Sequence, residues 1–405
     1  MSSPSPVPLL FALLLCFPLA VVFTVTTTTT TSSDPDVAGG TPIGYPLRQE
    51  LAAITETTMP SASQTTTAEV SVDEISSLVD YNSEDPTLPP PANYNDEDDN
   101  VLFRAASRVK PRPGNSRKLA FMFLTTAGLP LAPLWEVFFN YTPKSLYNIY
   151  IHADPTKTMK TKIPPRFTGV FEGREILSKP TQRHTPTLIS AARRLLSRAL
   201  LDDPANAMFI LLSPSCIPLR SFNFTYATLA WSKRSFVEVL RNELGTHGRW
   251  AARGEEAMLP EVRLEEFRIG SQFWAMTRRH ARLVVGDTRV WSKFVLPCLR
   301  IDTCYPEENY FPTLLSMMDP RGIVPATLTH VDWRGMHNGH PRTYSAAEVG
   351  PELLIRLRTD RPRYGDVGKG QRRHYNPHQF LFARKFAAAA LGPLMRIANE
   401  VLFKD

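Results

Sequence analysis

Three segments of strand length, the continuous apolar run LAFMFLTT at Leu119–Thr126, LYNIYIHAD at Leu146–Asp154, which ends in polar residues, and MFILLS at Met208–Ser213, are separated by stretches with helical spacing. The first stretch places Leu134, Trp135, Phe138 and Phe139 behind Pro130 and Pro133, and the second is Thr187–Leu201. A run that is apolar at every position has no polar face to offer water, so it reads as a strand buried on both sides. Strands alternating with helices predict an α/β fold, a mixed and mostly parallel sheet flanked by helices. Ligands of such sheets bind outside the carboxyl ends of the strands, which directs attention to His152, Asp154 and Ser213–Cys216.

Nothing of this kind occurs earlier in the chain, and the charge changes with the pattern. Residues 1–100 hold one base, Arg48, against 14 acids, whereas residues 101–405 hold 45 bases against 25 acids, so a net −13 precedes a net +20. The uncharged stretch Pro8–Val25 is close to the minimum length of a spanning helix. It reads as an uncleaved transmembrane signal-anchor behind a short cytosolic tail, 1–7, with a cleaved signal peptide as the competing reading. From Thr26 to about 116 the chain is rich in Thr, Ser, Pro and acids and cannot bury a core, so it reads as a solvated stem. Its DEDD run at Asp96–Asp99 reads as a solvated charge block. The domain proper then spans 117–405 and would face the secretory lumen. Its positive charge suits phosphate-bearing small molecules or acidic glycans; it lacks the basic blocks and motifs of a nucleic-acid binder.

Several familiar chemistries find no motif. No GxGxxG opens a helix after a strand, and GDVGKG at Gly365–Gly370 lacks the spacing and the Ser/Thr of a P-loop. His337 and His340 have no carboxylate or Cys pair beside them, and no Asp-x-Asp follows residue 100, so no metal site is expected. Asn140 and Asn223 head glycosylation triplets. Of Cys216, Cys298 and Cys304, two could pair in an oxidising lumen; Cys298–Cys304 is the shortest closure, and all three pairings stay open.

Two segments carry most of the chemistry. In CYPEENYFPTLLSMMD (Cys304–Asp319) the run after Pro306 has helical spacing, placing Glu307 and Glu308 in a first turn. Neighbours on a helix point about 100° apart, so one carboxylate at most should face a cleft while the other is solvated. A carboxylate beside apolar Tyr and Phe is a candidate general base. In FLFARKF the ammonium of Lys385 lies between Phe382 and Phe386 and calls for an anionic partner such as a diphosphate.

Together with FRIGSQFWAMTRRHA and LTHVDWRG, these ordered blocks resemble the plant branch of the core-2/I-branching β-1,6-N-acetylglucosaminyltransferases, glycosyltransferase family 14, over roughly residues 117–390. The resemblance implies a GT-A-like fold and metal-independent inverting transfer from a UDP-sugar to a glycan acceptor on a glycoprotein or cell-wall polymer. It implies Glu308 as general base, Lys385 with Arg361 or Arg363 at the diphosphate, and Asp154 at the nucleoside. It also implies Gly270, Ser271 and Trp274 on the acceptor side, and residence as a single-pass type II protein of the Golgi membrane. The chain departs from the family at Gln182–Leu196, where Arg183, His184 and Pro186 replace a Trp-Gly pair and a helical acid is missing. Transfer of xylose or glucuronic acid, or a catalytically silent luminal scaffold, are the alternatives.

Overall fold

The computed structural model describes residues 96–110, 117–126, 128–156, 167–334, 340–366 and 377–405. The anchor at 8–25 and nearly all of the stem lie outside the described residues. Among the described residues no helix is long and apolar enough to cross a membrane.

In chain order the helices are α1 (Asp96–Arg108), α2 (Ala132–Phe139), α3 (Thr187–Asp202), α4 (Phe222–Leu229), α5 (Thr246–Trp250), α6 (Arg278–Gly286), α7 (Trp291–Phe294), α8 (Pro306–Met318), α9 (Pro351–Thr359) and α10 (Leu391–Ile397). The strands are β1 (Lys118–Thr125), β2 (Tyr147–Ala153), β3 (Asn206–Leu212), β4 (Ile217–Pro218), β5 (Ser235–Phe236), β6 (Ala275–Thr277), β7 (Ile323–Val324), β8 (Thr329–Val331) and β9 (Phe382–Arg384). A six-stranded sheet runs β2-β1-β3-β6-β5-β7 and a three-stranded sheet runs β4-β9-β8. The first is the mixed, mostly parallel sheet expected: only β6 opposes its neighbours, antiparallel to both β3 and β5.

β1 shows why the apolar runs are continuous. Leu119, Phe121 and Phe123 point into one core with Trp135, Phe138 and Phe139 of α2, while Ala120, Met122 and Leu124 point into another with Ile189, Leu195 and Leu196 of α3. Alternate residues serve opposite faces, and both faces are covered. Phe121 meets Trp135, Phe138 and Phe139 edge-on at 6.2, 5.8 and 5.0 Å, a geometry worth roughly 0.5–1.5 kcal/mol per pair beyond area burial. Fully buried His152 joins the second face as a neutral core residue, its titration pushed down to about 4 by burial and by Arg194. Its place at a strand end therefore has no direct bearing on a ligand.

Strand direction places the site. The carboxyl ends of β1, β3, β5 and β7 open on one edge of the sheet, and antiparallel β6 brings its amino-terminal approach, Gly270–Phe273, to that same edge. In the smaller sheet β8 and β9 are parallel, so Asp332 and Lys385 emerge side by side.

α1 corrects the expected start of the domain. Residues 96–108, assigned by sequence to the stem, form a helix on α3 and α6 that buries Phe103, Ala106 and Asp99. The Asp99 carboxylate accepts from Arg194 Nε at 2.8 Å and from Nη2 of the same guanidinium, and lies 3.4 Å from Lys179 Nζ. It is a buried ion-pair centre, the opposite of a solvated charge. Arg193, the next residue back, lies over the rings of Phe103 and Trp291 at 4.4 and 4.8 Å. The two arginines of α3, in the segment that departs from the family pattern, thus hold α1 in place.

Candidate active site

The open edge forms a cleft of about 1520 Å³ lined by residues from both sheets. Glu308, Lys385, Arg361, Arg363, Gly270 and Ser271 all face it. Glu308 sits in the first turn of α8, where Pro306 starts the helix without needing a backbone donor. Its Oε2 accepts from Arg249 Nη1 of α5 at 2.8 Å, both side chains being about one quarter exposed. That bond fixes the carboxylate at the cleft wall and leaves Oε1 with no hydrogen bond from the described residues.

Gly270 is built into the support of Glu308. Its backbone N–H donates to the Glu308 carbonyl at 2.8 Å, and a Cβ added here would lie 2.1 Å from the Glu238 carbonyl oxygen. Gly270→Ala must therefore move backbone on one side or the other. We expect turnover to fall by about a hundredfold, the scale of a 1 Å misplacement, with the fold retained by circular dichroism. Wild-type turnover in this variant would contradict the support role.

The expected fate of the second carboxylate is corrected. Glu307 is buried rather than solvated, 5% exposed, and lines the cleft beside Glu308, its charge acting on Arg253. Burial, and then the neighbouring Glu308, push its carboxyl up to about 7, and its Oε2 has no hydrogen-bond partner among the described residues. Glu238, on the cleft wall after β5, is pushed to about 7 as well, again by burial first. Sequence reading passed over Glu238, which has no motif around it.

Lys385 leaves the end of β9 with its backbone carbonyl accepting from Tyr344 N. Burial, then Arg384 and Arg183, lower its ammonium to about 8. Neither arginine named from the sequence is its neighbour. Arg361 donates to the carbonyls of Arg358, Thr359 and Asp360 at the end of α9, and Arg363 pairs with Glu243 at 2.6 Å. The cations whose charge acts on Lys385 are Arg384 and Arg183. His340 Nδ1 lies 3.0 Å from Lys385 Nζ, and Arg183 Nη1 meets the other ring nitrogen. Arg183 also lies over the Tyr305 ring, 5.5 Å from its centroid, while Arg249 lies over the same ring at 4.6 Å. Tyr305 thereby joins the cation cluster to the arginine that holds Glu308. His184, in the left-handed region at φ +64°, is tied to the Cys304 carbonyl at 2.9 Å and positions Arg183 beside this turn. The only sequence signal for Arg183 was its departure from the family pattern.

Two other expected contacts sit behind the wall. Asp154 is buried and all its bonds are internal: Oδ1 accepts from the N–H and hydroxyl of Thr156, Oδ2 from those of Thr181. These bonds offset its burial and hold its carboxyl below the usual range. Thr181 lines the cleft; Asp154 does not. Trp274 is likewise a core residue against Phe311 at 5.1 Å, and Phe273 takes the cleft position, with Arg384 over its ring at 4.4 Å. Asn140 and Asn223 are exposed. Cys298 and Cys304 are bridged just ahead of α8, and Cys216 is a buried free thiol. Among the described residues no group of three or more His, Cys, Asp or Glu is arranged to hold a metal.

A carboxylate facing a cluster of cations across an open cleft is an arrangement for group transfer from an anionic donor. The sequence model of the Core-2/I-Branching enzyme family matches residues 119–358, which includes Glu308 and stops short of Lys385. Glycosyltransferase BC10 of Oryza sativa subsp. japonica is 30% identical over 323 residues, 72% of this chain and 79% of that protein. The chain is a glycosyltransferase. It belongs to the core-2/I-branching family, glycosyltransferase family 14.

Proposed function

We propose that the cleft transfers a sugar, N-acetylglucosamine by the family resemblance, from a UDP-sugar to a hydroxyl of a glycan on a glycoprotein or wall polymer, with inversion. The observation that carries this reading is the placement of Glu308 and the Lys385 cluster on one cleft, linked through Arg249, Tyr305 and Arg183. Glu308 takes the proton of the acceptor hydroxyl as its oxygen bonds to the anomeric carbon. The bond from that carbon to the phosphate oxygen breaks, and its electron pair leaves with UDP. Charge developing on the diphosphate is met by Lys385, Arg384 and Arg183, preorganised cations that need no reorientation during the step. Positive charge already built into the protein supports a mechanism without a metal. Asp154 acts indirectly, by holding Thr181 at the wall. The anchor and stem belong to the same reading, with the domain held in the Golgi lumen as a type II membrane protein.

Calorimetric titration of the full-length protein with UDP in EDTA tests the donor site. We expect binding that survives EDTA and weakens at least about tenfold in Lys385→Ala, the scale of one charge-assisted hydrogen bond. Absence of UDP binding by folded protein would overturn the reading and favour a silent scaffold. A screen of UDP-N-acetylglucosamine, UDP-xylose and UDP-glucuronic acid for turnover then identifies the sugar.

A further inference from the structure

His340 lies between two cations. Its Nδ1 is 3.0 Å from Lys385 Nζ, and its Nε2 faces Arg183 Nη1. A neutral imidazole has one lone pair and one N–H, so it can accept from one of these donors while presenting its own N–H to the other. Among the described residues the charged groups acting on the ring are Lys385, Arg183, Arg384 and His184; of the acids in the cleft, Glu307 acts on Arg183 and Glu308 on Arg384. Two anchors keep the ring there. Asp332, itself bound by Arg334 and by the Tyr344 hydroxyl, accepts at its backbone carbonyl from the N–H of Arg342, two residues after His340, at 2.9 Å. On the other side His184 fixes Arg183 through Cys304. The ring is thus held where like charges converge, so its own protonation is unfavourable without an anion and favourable once one arrives.

We infer that a nucleoside diphosphate entering this cleft binds together with a proton taken up by His340, so that the imidazolium, Arg183 and Lys385 form one cradle around the diphosphate. The inference rests on the UDP-sugar reading of the cleft. The proton comes from solvent and returns to it when the nucleotide leaves. It matters most during transfer, because the departing UDP carries one more negative charge than the esterified donor did. Burial, then Lys385 and Arg183, hold the imidazole of the empty site below its usual range, and the dianion raises it. Donor affinity therefore increases as pH falls between the two values, by at most about tenfold per pH unit for one proton.

The test uses UDP methylated on its β-phosphate, a probe whose two phosphates are both esterified and do not titrate between pH 5.5 and 7.5. Titration of the full-length protein in two buffers of different ionisation enthalpy reads the proton count directly. We expect net proton uptake near pH 7 and tighter binding at pH 5.5 than at 7.5. In His340→Gln, which keeps a hydrogen-bonding side chain but cannot become a cation, uptake should vanish and affinity should become nearly independent of pH. Arg183→Ala should weaken binding about tenfold at every pH. Probe binding with no proton uptake, or with a pH dependence that His340→Gln leaves intact, would overturn the inference and leave the donor reading standing. No binding of either UDP or its ester would remove both.

Discussion

Glu308→Gln is expected to lower turnover by about a thousandfold while UDP still binds, within the range for loss of a positioned general base. The amide oxygen can still accept from Arg249, so the side chain keeps its place and what is lost is basicity. Glu307→Gln and Glu238→Gln are the informative controls, because both carboxyls share the cleft and both are raised to about 7 by burial. Turnover retained in Glu308→Gln but lost in either control would move the base to that residue. Measuring the single-turnover rate beside UDP affinity separates loss of chemistry from loss of donor binding.

The second large effect is structural. Asp99→Ala leaves the buried guanidinium of Arg194, 5% exposed, without its carboxylate, and removes a partner of Lys179 as well. Breaking a buried pair by deleting one member costs roughly 3–5 kcal/mol, because the remaining charge stays desolvated. We expect thermal unfolding at clearly lower temperature and α1 to become susceptible to proteolysis. Asp98→Ala, one residue away and less buried, should change stability by no more than about 0.5 kcal/mol. Equal effects from the two substitutions would mean that α1 is held by its apolar face alone. Removal of residues up to 95 should be tolerated by the domain, whereas removal up to 116 should not.

The central strands and α2, α3 and α8 were legible because burial on both faces or on one stripe leaves a local periodic trace. α1 was missed for a definite reason: its acidic start matches the stem in composition, and the cation that makes Asp99 a core residue lies 95 positions later. Trp274 was read as a cleft residue because its block is a cleft block, but adjacent side chains of an extended segment point to opposite sides, and Phe273 has the open one. The choice between Arg361 and Arg363 was open in the sequence, and the structure engages one with helix-end carbonyls and the other with Glu243.

By itself, then, the sequence determined the α/β class, the strands and helices of the central layers, the charge contrast between the first hundred residues and the rest, and Glu308 and Lys385 as residues of interest. Only the tertiary structure decided that Arg183, Arg249, Tyr305 and His340 join them, that Glu307 is buried, and that Asp154 serves the wall from behind. Periodicity records which side of an element is buried, within a few residues. Convergence of side chains from positions 183, 249, 308, 340 and 385 depends on strand order and direction, and on which burials remain unpaired once the sheets are assembled, and no local pattern carries that information.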